Sequence, residues 1–140
     1  MRYFNDIIIH CSATRPLKTI TADTIRRWHV QGNGWDDIGY HYVILVDGTI
    51  ERGRPLDQEG AHCYGHNKDS VGICYVGGLN DFGLPTDTRT PEQKKSLARL
   101  IWKLTLQAMN AGFGIPAVHG HRDYNRRKDC PCFDAHGEYN

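Results

Sequence analysis

No stretch of this chain approaches the ~20 consecutive apolar residues that a membrane-spanning helix needs. The opening MRYFNDIIIH holds three consecutive isoleucines and then turns polar, so it lacks the apolar centre of a secretory leader. The chain is therefore expected to be made in the cytoplasm, without membrane insertion. Net charge is also scarce. Seventeen Lys and Arg against sixteen Asp and Glu leave +1 over 140 residues, too even a balance for bulk attraction to nucleic acid. The local run Arg122, Arg126, Arg127 and Lys128 is short and by itself reads as a solvated loop. Five cysteines is an odd number at irregular spacing, which argues against a disulfide scaffold and leaves free thiols or metal ligation. No C-x-x-C occurs, so a thioredoxin-like centre and a zinc ribbon are both excluded. No H-E-x-x-H occurs either, and the C-P-C at Cys130 to Cys132 differs from the P-C-x-x-C of a zinc deaminase.

What is present suits one globular domain over residues 1–140, with 39% hydrophobic and 24% charged residues. Asp6 to Ile9 reads as a short buried strand ending at His10. Thr21 to Val30 reads as a helix, with Thr21 able to cap it and Ile25, Trp28 and His29 on one side. Gly32 to Trp35 is a turn. In GYHYVILVDGTIERG two β-rich runs flank Asp47-Gly48, a strong two-residue hairpin turn, and the first run is apolar on both faces, as in a strand covered on both sides. Ser70 to Val76 is a further strand, and Asn80 to Arg89 a polar loop. Thr90 and Gln93 have capping-box spacing with Pro91 at the first helical position. Leu97, Leu100, Ile101, Leu104 and Ala108 then recur at helical spacing, and Gly112 can end the helix. Pro116 to His119 reads as a last strand. This order predicts an α/β fold, a mixed central sheet flanked by helices.

Histidine and cysteine gather at two distant places. His10 closes the first strand, and HGHRDYNRRKDCPCFD carries His119, His121, Cys130 and Cys132. Any one of these alone suits a structural or surface role. Together they satisfy a catalytic zinc site, which takes three nitrogen or sulfur ligands and keeps one position open. In an extended segment His119 and His121 share a face, and Cys130 and Cys132 share a parity. Spacing thus calls for His10, one further histidine and one cysteine without choosing within either pair. A Cys/His nucleophile is disfavoured, since no cysteine stands at an evident helix start where its pKa would fall.

Several segments together resemble the zinc-dependent N-acetylmuramoyl-L-alanine amidases, the family of bacteriophage lysozyme-type amidases and animal peptidoglycan recognition proteins. They are IIIHCSAT, GWDDIGYHYVILVDGTIERGR, GAHCYGHNKDSVGICYVGG, TPEQ, and HGHRD with KDCPCFD, in order along nearly the whole chain. The resemblance implies one Zn²⁺ held by His10, His121 and Cys130, with Cys132 a packed thiol. It implies catalytic roles for Tyr40 and Lys128, and substrate-binding roles for His62 and Asn67. The implied activity is bacteriolytic: cleavage of the amide between N-acetylmuramic acid and L-alanine of peptidoglycan, acting on the cell wall after release. A monomer is expected. Some recognition proteins of this family lack the cysteine and bind without cutting, so a non-catalytic peptidoglycan sensor is the alternative; Cys130 favours the enzyme. Trp35 could stack on a sugar ring, although an aromatic beside glycine turns more often plugs a core.

Overall fold

The computed structural model describes residues 1–140. Five strands, β1 (Asp6–Cys11), β2 (Tyr42–Ile44), β3 (Ile50–Arg52), β4 (Ser70–Tyr75) and β5 (Ala117–Gly120), form one sheet in the order β3-β2-β4-β1-β5. Only the β2–β3 hairpin is antiparallel; β2–β4, β4–β1 and β1–β5 all run parallel. The sheet is mixed and the fold is α/β, in the predicted order of elements. No helix is long and apolar enough to cross a membrane.

Strand alternation divides the sheet into two faces. Ile7, Ile9, Val71, Ile73 and Ile44 point to one face. There they pack on Leu97, Leu100, Ile101 and Leu104 of the long helix α2 (Pro91–Asn110). The helix starts as its sequence predicts: Thr90 Oγ1 accepts from the Gln93 backbone N–H, and Gln93 Oε1 accepts from the Thr90 N–H. The opposite face carries Val43, Cys74 and Val76 against Ile25 of α1 (Ala22–Arg27) and Ile38. Sheet cover on both sides explains why β2 and β4 are buried at every position and largely apolar.

Several elements differ from expectation. The first strand runs to Cys11, which puts His10 inside it. The first helix is α-helical only to Arg27, and Trp28–Gly32 widens into a π-helical turn, leaving Trp28 largely exposed rather than packed. The hairpin strands are shorter than their apolar run, and the turn takes three residues, Val46 to Gly48, rather than two: the Leu45 N–H donates to the Thr49 carbonyl at 2.8 Å, and of the three only Gly48 has a positive φ. Two short helices, α3 (His121–Tyr124) and α4 (Ala135–Tyr139), carry no long periodic pattern and are visible only in the structure.

Arg89 ties the last helix to the body. Its side chain is 2% exposed and forks between the carboxylates of Asp87 and Glu138, at 2.8 to 3.0 Å. Its guanidinium carbon stacks 3.4 Å from the Phe133 ring centroid. Burial alone would raise the Asp87 pKa, but hydrogen bonding and charge from Arg89 together outweigh it, so the carboxyl is lowered. The hydrogen bond from Arg89 likewise lowers Glu138. Both folded-state values lie below the unfolded ones. The stabilisation is therefore complete above the ordinary Glu value of 4.5 and is lost as pH falls through the lower folded values. Replacing Arg89 with Met should cost about 2 kcal/mol at neutral pH, because both acids can rehydrate in part. It should also flatten the loss of stability below pH ~4.5, as read by urea unfolding at neutral and acid pH.

Candidate metal centre

The register of two parallel strands builds the site. Ile9 of β1 lies opposite Gly120 of β5. One residue further along the chain come His10, still in β1, and His121, the first residue of α3 (His121–Tyr124), neighbours in space although 111 positions apart in sequence. Their rings lie 4.7 Å apart between centroids. Cys130 completes the group: one ligand atom from each of His10, His121 and Cys130 falls within 4.8 Å of the others. Both histidines sit at the carboxyl ends of parallel strands, where loops leave room for a ligand.

His119 and His121 do not share a face. The strand ends at Gly120 and the chain turns into α3 at His121, which breaks the period-2 alternation assumed for an extended segment. His119 faces away: its Nδ1 is 2.8 Å from Asp6 Oδ1, and its ring stacks 4.8 Å from that of His136. The two cysteines also separate. Cys130 Sγ accepts from the Cys11 backbone N–H at 3.2 Å. The Cys132 thiol turns to the Gly78 carbonyl at 3.3 Å and lies 3.9 Å from Cys11 Sγ. Burial first, then the neighbouring Cys11, pushes the Cys132 thiol up to about 12.

Helix α3, which carries His121, is held from several sides. The Arg122 N–H donates to the Cys130 carbonyl at 2.8 Å, linking the two ligand-bearing segments. The Gly120 N–H donates to Asp123 Oδ2 at 2.8 Å. The Tyr124 hydroxyl donates to Asp6 at the start of β1, and His66 stacks on the Tyr124 ring at 3.8 Å.

Burial lowers the His10 pKa well below 6.5, with His62 and His121 adding to the shift. His121 is lowered by burial first and by the charge of Lys128 second. Both rings are therefore neutral at pH 7, the form that ligates metal. Tyr40 is half-buried with its ring 5.1 Å from that of His10, and burial chiefly raises its phenol well above 10. Lys128 is exposed and lines a shallow hollow of about 190 Å³ beside Cys11, Gly78 and Cys130. His62 lies buried beneath the centre, with Nδ1 2.8 Å from His10 Nε2. Asn67 does not face the ligands; its Oδ1 accepts the backbone N–H groups of His62 and Cys63, both at 2.9 Å. Trp35 is no core plug: it is 38% exposed and packs on the His29 ring at 4.7 Å. Sequence reasoning missed the link from His62 to His10, which spans 52 positions and follows no local pattern.

Two imidazoles and a thiol converging at the carboxyl edge of an α/β sheet form a donor set able to hold a single metal ion. Comparison with known proteins gives the family. The family model for N-acetylmuramoyl-L-alanine amidase matches residues 2–133. The endolysin of Klebsiella phage KP32 is 40% identical over 130 residues, covering 93% of this chain and 82% of the relative. The endolysin of Escherichia phage T7 is 41% identical over 128 residues, covering 91% and 80%. Among solved structures, the N-acetylmuramoyl-L-alanine amidase LysC from Clostridium intestinale superposes with a TM-score of 0.79 at 31% identity, over 98% of this chain and 82% of that one. Drosophila PGRP-LB superposes with a TM-score of 0.78 at 27% identity, over 99% and 80%. The chain belongs to the N-acetylmuramoyl-L-alanine amidase family.

Gly120 offers a test of how tightly the centre is packed. A Cβ there would lie 2.6 Å from Pro131 Cδ, in the ring that follows Cys130. Its φ of −92° suits any residue, so an open site would let Gly120→Ala stabilise the protein by about 0.4–1 kcal/mol. The proline ring, closed between Cys130 and Cys132, gives way poorly. The variant should instead lose about 1–3 kcal/mol in urea unfolding.

Proposed function

We propose that this chain hydrolyses the amide between N-acetylmuramic acid and L-alanine of peptidoglycan, with one zinc ion held by His10, His121 and Cys130. The convergence of those three donors within 4.8 Å is the observation that carries the reading. The donor chemistry fits the ion: two neutral rings and one sulfur leave a tetrahedral metal one open position. Bound there, zinc supplies Lewis acidity, polarising the scissile carbonyl and making water a stronger acid.

The protein's own groups do the rest. Tyr40 keeps its proton at neutral pH, because burial disfavours the phenolate. Its hydroxyl is accordingly a donor and an orienting group for water rather than a base. Lys128, on the rim next to Cys130, donates toward the carbonyl oxygen as negative charge collects on it. The Cys11 backbone N–H holds the Cys130 sulfur in place at 3.2 Å. Asn67 shapes the loop that carries His62. The half-exposed Trp35 and the wholly exposed Tyr64 offer ring faces to a glycan or stem peptide. Residues 1–140 form one domain that acts as a monomer on the wall after release.

Cys130→Ser should lose bound zinc and activity together, with metal content read by elemental analysis. Lys128→Ala should keep the zinc but slow turnover about 10²- to 10³-fold, because one oxyanion donor is gone. Digestion of purified peptidoglycan should release new alanine amino termini and no new reducing sugar ends. Sugar ends would identify a glycosidase. Tight wall binding with no release of either would identify a sensor.

A further inference from the structure

Beneath the ligands lies a buried row of polar groups that the proposed reaction does not use. His10 Nε2 faces His62 Nδ1 at 2.8 Å, and His62 Nε2 faces Ser70 Oγ at 3.2 Å. His10 and Ser70 are each 1% exposed and His62 is 8% exposed. We infer that His62 is a positioning residue, whose Nδ1 accepts the Nε2–H of His10 and so turns the bare Nδ1 of His10 toward the ion. The inference rests on the zinc reading above.

Proton counting gives the row its direction. A neutral imidazole has one N–H donor and one bare acceptor nitrogen. Two neutral rings meeting nitrogen to nitrogen share a single proton between them. If His62 supplied it, His10 would carry its own proton on Nδ1, the nitrogen left for the metal, and could not ligate there. With His10 supplying it, His62 Nδ1 is bare. The His62 proton then sits on Nε2 and goes to the Ser70 hydroxyl. Metal ligands commonly donate their second ring N–H in this way, which sets tautomer and ring orientation.

The seat of His62 is closed to other arrangements. A Cβ on Gly60 would lie 2.6 Å from its Cδ2, and a Cβ on Gly72 would lie 2.6 Å from both Cδ2 and Cγ. Two glycines, one in a loop and one in β4, thus clear a slot the width of the ring. Asn67 holds the His62 backbone from behind. The neighbouring His41 takes no part in the row: its Nδ1 accepts the Gly72 N–H at 3.0 Å, and its Nε2 lies 2.8 Å from the Gln58 carbonyl.

Zinc affinity, measured by competition with a chromophoric chelator, tests the inference without any assay of turnover. His62→Leu fills the slot but offers no acceptor, and should bind zinc about 10- to 100-fold more weakly than the parent chain. His62→Asn places an amide oxygen near the lost Nδ1 and should recover most of that affinity. Equal affinity in the Leu variant and the parent would overturn the inference. So would equal losses in the Leu and Asn variants, since the ring would then serve only as packing. His121→Ala separates the underlying reading: if it keeps full zinc affinity, the metal site itself is misassigned. Should His62→Leu fail to fold, imidazole ¹⁵N shifts of the metal-free parent chain decide the matter. Protonation of His10 at Nε2 supports the row as drawn, and protonation at Nδ1 overturns it.

Discussion

The parallel pairing of β1 with β5 is the constraint on which the site depends. It sets Ile9 against Gly120, and the residue that follows each along the chain is a histidine. A slip of one residue in this register would turn His10 onto the face covered by α2, among isoleucines and leucines. The register is protected from both sides: β1 also pairs with β4 over its full length, from Asp6 to Cys11. Where β5 stops, the chain bends into α3, and this bend sends His121 toward His10 while His119 remains with Asp6.

The two faces of the sheet divide the work. On the α2 side, apolar side chains with almost no exposure supply the hydrophobic stabilisation. On the other side, several polar rings are buried together, which costs free energy unless each finds a partner. Those costs are offset by hydrogen bonds: His62 to Ser70, and His41 to Gly72 and Gln58. Burial thus favours the neutral form of these rings, the form that ligates metal.

Membership of the amidase family and the His10, His121 and Cys130 group converge from independent directions. The family likeness extends over residues 2–133, which takes in all three candidate ligands. The group itself emerges from side-chain geometry with no reference to relatives. The relatives differ in trade, being phage endolysins, a bacterial amidase and an insect recognition protein. A shared fold can accommodate that range, since binding specificity can reside in the loops that a scaffold carries.

The elements legible from sequence are those whose cause is local. Asp47-Gly48 makes its hairpin, and Thr90, Pro91 and Gln93 begin their helix, because a turn or a cap needs only residues a few positions apart. The sequence could likewise offer His10, a second histidine and a cysteine as zinc donors, because ligand type is intrinsic to the side chain. Choosing His121 over His119 by physics required the end of a strand, which lies in strand pairing rather than in periodicity. Choosing Cys130 over Cys132 required knowing which sulfur meets the Cys11 N–H and which the Gly78 carbonyl. The row from His10 through His62 to Ser70 belongs wholly to tertiary structure. Its members come from β1, a loop and β4, and only the folded sheet brings them within hydrogen-bonding distance.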